Sequence, residues 1–394
     1  MTYAVIIDAV RTPRGRGNAK GALHEVKPVD LLAAPLRALA DRHALGDRVL
    51  ADAVFGCVTQ TAEQGANIGK LGLIAAGYPD SAPGLTVNRY CASGITAVGL
   101  AALRAQAADG LAIGGGVESM SRVPMASDKG ALTHDFAFQK AAGLVAIGIS
   151  ADAVATAEGF SRADCDAFAA ESQARAVAAR AEGRFASLVP VGGLTADETP
   201  RAGTTVESLS ALSPAFAEMG EKYGMDAAIM AHTGLAHVAH VHHAGNSPAM
   251  ADGASAVLVA TEGAARRAGL RPRARILAVA ELAVDRVLAL TGSVDAANAA
   301  LARAGLGVGD IDLFEVNESF AALALHFARH MGVGLDRLNV NGGAIALGHA
   351  MGSTGGALIG TALDELDRRD GRRALIAACG AAGLASALII ERVA

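Results

Sequence analysis

The chain has 394 residues, 52% of them hydrophobic, and a formal net charge of −5 spread over interspersed acids and bases. That length supports two or three domains around a sizeable core, and the charge pattern excludes the basic footprint of a nucleic-acid or membrane binder. No uninterrupted apolar run reaches the roughly 20 residues that a membrane-spanning helix needs.

Trp is absent and Phe and Tyr are few, so the core must be built from Ala, Val, Leu and Ile, with 47 glycines permitting close packing. The four cysteines (57, 91, 165 and 379) form no Cys-x-x-Cys pair. This fits a reducing compartment and argues against disulfides or a structural zinc. Met1–Asp8 lacks a basic start and reads as a first strand, not a signal peptide. The expected location is the cytoplasm.

In chain order, Tyr3–Ala9 predicts a buried strand, and Pro28 or Asp30 opens a helix through Leu31, Leu32, Leu36 and Leu39. Ala53–Val58 predicts a second strand and Asn67–Ala76 a second helix. Leu85–Val87 is strand-like and leads through Cys91 into an apolar helix pattern from Ile95 to Ala108; Leu111–Gly116 is another buried strand. Alternating strands and helices predict an α/β layer structure with largely parallel strands.

From about Ser121 to His243 the rhythm breaks, as expected of an inserted loop subdomain. Ser161 and Asp164 form a capping-box-like start to a helix closed by Gly183, and Glu171 and Arg175 are spaced to pair on it. After Asp252-Gly253 the first pattern repeats. Ala274–Val279 matches the opening strand, Asp312–Val316 the second, Leu338–Ala344 the stretch Leu85–Cys91, and Ala374–Gly380 the strand Leu111–Gly116; Ala385–Glu391 adds a last strand. The expected domains are an N-terminal half over 1–120, completed by about 244–272, the insertion over 121–243, and a C-terminal half over 273–394.

Cys91 sits at a strand-to-helix junction, where unpaired N–H groups and the helix dipole favour a thiolate. Asn317, His349 and Cys379 fall at strand ends of the second copy, and loops at one edge of a duplicated α/β core converge. A thiol nucleophile, an imidazole, a second thiol and an amide suit acyl transfer through a thioester. The histidines 232, 237, 240, 242 and 243 suggest no metal: His240 and His242 alternate on a strand face without a carboxylate placed beside them. Cys57 and Cys165 read as packing residues.

Val87-Asn88-Arg89-Tyr90-Cys91-Ala92-Ser93-Gly94, Asn317-Glu318-Ser319-Phe320, Asn339 through His349, and Cys379-Gly380 together resemble the thiolase signatures, in order and spacing, over essentially the whole chain. Arg11-Thr12-Pro13 and Gly116–Ser121 resemble thiolase segments as well. The resemblance implies a five-layered α-β-α-β-α fold of duplicated βαβαβαββ halves. It implies ping-pong acyl transfer between coenzyme A thioesters, with coenzyme A as substrate, no permanently bound cofactor and no metal. Either acetoacetyl-CoA chemistry or thiolysis of longer 3-ketoacyl-CoA fits, in a homodimer or homotetramer; the competing reading is a thiolase-fold acyl-CoA-binding protein with little turnover or dependent on a partner chain.

By that resemblance Cys91 is the acylated nucleophile, His349 takes its proton, Cys379 shuttles a second proton and Asn317 holds a water. The backbone N–H groups of Cys91 and Ala381 form the oxyanion hole, and Ser247 and Gly380 contact substrate. The chain departs from the family at Ala381 (a glycine), Ala350 (a proline), Ser319 (an alanine), Pro248 (a serine) and Ala146-Ile147 (a His-Met pair of short-chain members).

Overall fold

In the computed structural model, which describes residues 3–46 and 48–393, the alternation of the sequence becomes two copies of one α/β unit. Met1 and Thr2, the start of the first-strand reading, lie outside the described residues. The first copy runs β1 (Ala4–Arg11), the two-residue β2 (Gly15–Arg16), α1 (Pro28–His43), β3 (Leu50–Gly56), α2 (Ile68–Ala76), β4 (Leu85–Val87), α3 (Ser93–Ala108) and β5 (Leu111–Ser119). Within the stretch read as an insertion, the main helices are α4 (Ile147–Glu158) and α5 (Arg162–Ala181). The chain then returns as β6 (Ala251–Thr261), which pairs with β5 and β1 of the first copy. The second copy follows: β7 (Ala274–Ala283), α6 (Ser293–Ala304), β8 (Leu313–Val316), α7 (Ala321–Met331), α8 (Met351–Arg369), β9 (Arg373–Cys379) and β10 (Leu384–Arg392).

The strand order β4-β3-β5-β6-β1-β7-β10-β9-β8 contains the same arrangement twice. In each copy parallel pairs (β4-β3-β5; β8-β9) adjoin antiparallel ones (β5-β6-β1; β9-β10-β7). Among the described residues, the ladder that joins the copies into one sheet is short, pairing Val5 with Arg275 and Ile6 with Ala274. The cohesion between them comes instead from α3 and α8. Their buried faces share a cluster with Ile6, Val54, Val98 and Val257 of one half and Ile276, Ile359, Ile376 and Leu388 of the other. Leu31, Leu36 and Leu73 of α1 and α2 cover the outer face of the first sheet, and Ala297, Leu301 and Phe327 of α6 and α7 cover that of the second. These are the five expected layers.

Glycine sets the depth of the central contact. A Cβ on Gly94, at the start of α3, would lie 2.7 Å from the backbone N of Gly355 in α8. The helices therefore cross main chain to main chain, which no larger residue permits. One predicted strand is missing: Leu338–Ala344 makes only a bridge between Leu338 and Phe314. Asn339, at φ +46°, leaves the extended region and uses its side chain in place of the ladder. Its Oδ1 accepts from Val316 N at 2.8 Å and its Nδ2 donates to Val316 O at 2.8 Å.

In the stretch 121–243, α5 starts on a capping box of Ser161 and Asp164, Gly183 follows its end at φ +67°, and Arg175 Nε donates to Glu171 at 2.7 Å. Arg11 anchors this stretch to β1 through two bonds to Asp197, at 2.7 and 2.8 Å, with both side chains buried. Removing one member of such a buried pair costs about 3–5 kcal/mol. The stretch Phe136–Glu158 has the length and mean hydropathy (1.4) of a membrane span. It is two helices parted at Gly143, and residues 148–155 of α4 are buried against the rest of the protein.

Candidate active site

Cys91 follows a turn that its own neighbours lock. Ser93 Oγ accepts from Arg89 N at 2.7 Å and donates to Tyr90 O at 2.6 Å. Tyr90 is held at φ +48°, a left-handed conformation that costs an L residue roughly 1–2 kcal/mol. The turn delivers Cys91 just ahead of α3, the residue partly open to solvent and its thiol packed among protein atoms. The sequence favoured a thiolate here, and the structure corrects that. Burial first, then the neighbouring Cys379 and Glu118, push the thiol up to about 12, so the resting nucleophile is protonated. A base has to activate it.

His349 is placed by the equivalent junction of the second copy, immediately before α8. Its N–H donates to Ala249 O at 2.7 Å, and Met250 pairs with it in an isolated bridge. Its Nδ1 shares a 2.9 Å hydrogen bond with Thr354, one turn into α8, while Nε2 is buried with no partner. Burial, reinforced by the Arg14 guanidinium, pushes the imidazole down to about 3, so it is neutral at physiological pH. A neutral ring with one nitrogen anchored and the other open is a competent proton acceptor. The Gly94–Gly355 crossing brings the starts of α3 and α8, and hence Cys91 and His349, to the same place.

Cys379 ends β9 and is almost fully buried, which raises its pKa. A Cβ on Gly380 would lie 3.0 Å from Arg89 O and 3.5 Å from Cys91 N, so the Cys379-Gly380 turn packs directly on the Cys91 turn. Ala381 is buried, but the conformational strain of this turn falls on Ala382, at φ +55°. Asn317 is tied to β9 by its N–H to Ala377 O at 2.9 Å. Its Nδ2 donates to Ser319 Oγ at 3.0 Å, and Ser319 Oγ lies 3.2 Å from Cys379 Sγ. The Oδ1 of Asn317 is buried and unpartnered, as is the hydroxyl of Ser247 in the segment that runs past His349. Cys91, Cys379, Gly380 and Asn317 are thus gathered where the two copies meet, with Ala381 next in the chain to Gly380; His349 stands at the head of α8, which crosses α3, and Ser247 lies two residues before Ala249, the backbone partner of His349. The surface clefts at Arg42–Arg271 and Glu25–Gly192 contain none of them.

Three supporting residues were not singled out from sequence. Glu118 collects Val58 N, Thr59 N, Gln64 Nε2 and Gly352 N, all at 2.9–3.1 Å, tying the strand ends of the first copy to the start of α8. Glu318 does the same in the second copy, accepting from Ser172, Asn339 and Ile345 N. Thr354 holds His349. Its only sequence signal is a hydroxyl five positions after the histidine.

The histidine-rich stretch is corrected. Residues 237–243 form no strand, and carboxylates are placed beside them. His240 Nδ1 and His242 Nδ1 both meet Asp152, at 2.8 and 2.7 Å, and His243 Nε2 meets Asp166 at 2.7 Å. These contacts pin the loop to α4 and α5. Among the described residues, Glu158, His326 and His330 bring three potential metal-ligand atoms within 4.8 Å of one another. Arg329 occupies the other carboxylate oxygen of Glu158 at 2.9 Å, so the group is an ion network joining α4 to α7.

Comparison with known proteins matches residues 4–230 to the thiolase N-terminal domain and residues 270–392 to the thiolase C-terminal domain. Proteins named 3-ketoacyl-CoA thiolase from Klebsiella pneumoniae, Citrobacter koseri and Salmonella typhimurium are each 39% identical to this chain, over 100% of both sequences.

Proposed function

From the premise that the chain belongs to the thiolase family and is an acyltransferase, we propose that it cleaves 3-ketoacyl-CoA with coenzyme A, giving acetyl-CoA and a shortened acyl-CoA. The observation that carries this reading is two buried acceptors left open, His349 Nε2 at the head of α8 and Asn317 Oδ1 beside the Ser319–Cys379 contact. A buried polar atom without a partner costs about 1–3 kcal/mol, and the Cys91 S–H and a bound water are the donors that match these two acceptors.

His349 Nε2 takes the proton of Cys91, and the thiolate attacks the 3-keto carbon. The C2–C3 bond breaks with its electron pair on C2, where it is held as the enolate of acetyl-CoA. Nε2–H of the imidazolium and a water accepted by Asn317 face the enolate oxygen. Cys379 gives its proton to C2. Coenzyme A then loses its thiol proton to Cys379 and attacks the acyl carbon; the Cys91–acyl bond breaks and His349 returns the proton to Cys91. Backbone N–H groups of Cys91 and Ala381 are assigned to the tetrahedral oxyanion, where one donor is typically worth about two to three orders of magnitude in rate. Ser247 and Gly380 are assigned to substrate contact. The enzyme is read as a cytoplasmic homo-oligomer of fatty-acid β-oxidation with no resident cofactor.

The test is incubation with acetyl-CoA and mass spectrometry of the Cys91 peptide, alongside thiolysis of a chain-length series of 3-ketoacyl-CoA. An acetyl adduct on Cys91 with coenzyme A-dependent loss of substrate is expected. Absence of both overturns the assignment.

A further inference from the structure

Ser319 is a position at which this chain differs from the family signature it resembles, and its hydroxyl does not cap α7 or bond the backbone nearby. Both of its side-chain contacts are to residues assigned chemistry. Asn317 Nδ2 donates to Oγ at 3.0 Å, and Oγ lies 3.2 Å from Cys379 Sγ, across 60 positions of sequence. The residue is only 5% exposed, and a tight turn, Ser319 N to Asn317 O at 2.9 Å, fixes it relative to the amide. Ser293 also approaches the same thiol and favours its ionised form, but its hydroxyl makes no hydrogen bond of normal geometry. Ser319 is therefore the sulfur's geometrically sound partner.

The direction of these bonds follows from counting hydrogens. A hydroxyl has one proton and two lone pairs. With one lone pair taken by Asn317 Nδ2, its hydrogen is free to point at Sγ. A thiolate accepts that hydrogen, and a bond to an ionised partner is roughly twice as strong as a neutral one. When Cys379 is a thiol, the second lone pair of Oγ can accept its S–H instead. The same contact commits Nδ2 of the amide to Ser319, which leaves Oδ1 as the unpartnered atom.

We propose that Ser319 is a positioning residue for carbon–carbon bond cleavage: it donates to the Cys379 thiolate formed when that residue protonates C2 of the departing acetyl-CoA, and it turns Asn317 Oδ1 toward the reaction water. The proposal rests on the acyl-transfer reading above. Acylation of Cys91 by acetyl-CoA uses Cys379 only to return a proton to the departing coenzyme A thiolate, an anion already stable in water, so the equilibrium yield of the adduct depends little on Cys379. Protonation of a carbanion depends on it directly, as does the reverse, loss of a methyl proton from acetyl-CoA to the Cys379 thiolate.

Two measurements on the full-length enzyme separate these steps: the yield of the acetyl-Cys91 adduct, and exchange of acetyl-CoA methyl protons with deuterium in D2O as a function of pH. Ser319→Ala is expected to slow exchange and thiolysis kcat about tenfold, the weaker end of one charge-assisted hydrogen bond. The rise of exchange with pH, which follows ionisation of Cys379, should move to higher pH, with adduct yield kept within twofold. Ser319→Thr, which keeps the hydroxyl, should restore both rate and profile. Unchanged exchange and pH profile in Ser319→Ala overturn the proposal. So does an equal fall of adduct and exchange in both variants, which marks a packing role. A wild-type enzyme with neither adduct nor exchange removes the acyl-transfer reading itself, and this proposal with it.

Discussion

Both copies carry a saturated buried carboxylate, Glu118 in the first and Glu318 in the second, but the second also leaves open the buried atoms assigned to the chemistry. At the end of β5 in the first copy, Glu118 is saturated by four donors. In the second, His349 Nε2 and Asn317 Oδ1 are left open. Duplication supplied the same junctions twice, and each acquired a separate task. Saturated groups hold the turns and open groups face the chemistry. The first copy contributes one reacting group, the thiol of Cys91, while Glu118 ties the loop after β3 to the start of α8. Glu315 is one exception that refines this rule: both its oxygens are unpartnered, yet it is fully buried in β8. Desolvation, with Glu318 and Glu365 nearby, raises its pKa well above the ordinary range and keeps it protonated.

The largest test of the contrast is His349→Asn. Loss of the open nitrogen should lower kcat by about 10²–10⁴-fold, the usual range for a positioned base, with the protein still folded by circular dichroism. The same variant carries a pH signature. The imidazole is lowered to about 3 from 6.5, so between those values the unfolded chain binds the extra proton and stability falls as pH falls. Above pH 6.5 the effect vanishes. In urea unfolding from pH 6.5 to 4, wild type should lose up to about 1.4 kcal/mol per pH unit through this residue, and His349→Asn should lose correspondingly less.

Glu118→Gln addresses the saturated side. Replacing an acceptor-only carboxylate with an amide leaves an N–H donor facing N–H donors, at a cost of about 1–3 kcal/mol. Its turnover per folded molecule should fall far less than that of His349→Asn. A rate loss as large as the histidine's, at unchanged stability, would collapse the distinction between bracing and reacting groups. The smallest effect is expected of Glu315→Gln. With a raised pKa in the folded state, Glu315 stabilises relatively less as pH rises above 4.5, because the unfolded chain releases a proton that the native state keeps. The glutamine removes that dependence. Chemical denaturation at pH 8 should show the variant equal to or more stable than wild type, with kcat within about twofold.

Much of this was legible in the sequence because it is local. Strand and helix alternation, the Ser161 cap, the Cys91 junction and the repeat all depend on spacing within a few residues, and each lies where spacing put it. What the sequence concealed depends on partners far apart in the chain. Asn339 broke a predicted strand because its amide takes over the hydrogen bonds of Val316. The histidines near 240 were assigned no carboxylate because Asp152 and Asp166 lie on other helices. The helix start suggested an ionised Cys91; desolvation, with Cys379 and Glu118 nearby, outweighed it. The Ser319–Cys379 contact spans two strand ends and has no local signature at all.

The backbone-to-backbone crossing at Gly94 and Gly355 has one more consequence. Because no side chain lies between the two helices there, nothing at that point can rearrange to absorb a bulkier guest. The spacing of nucleophile and base behaves as a fixed gauge, and neither half holds it alone. Any tuning toward different acyl groups must come from the loops around the rim, and two separately expressed halves would have to find that contact before either could present a working centre.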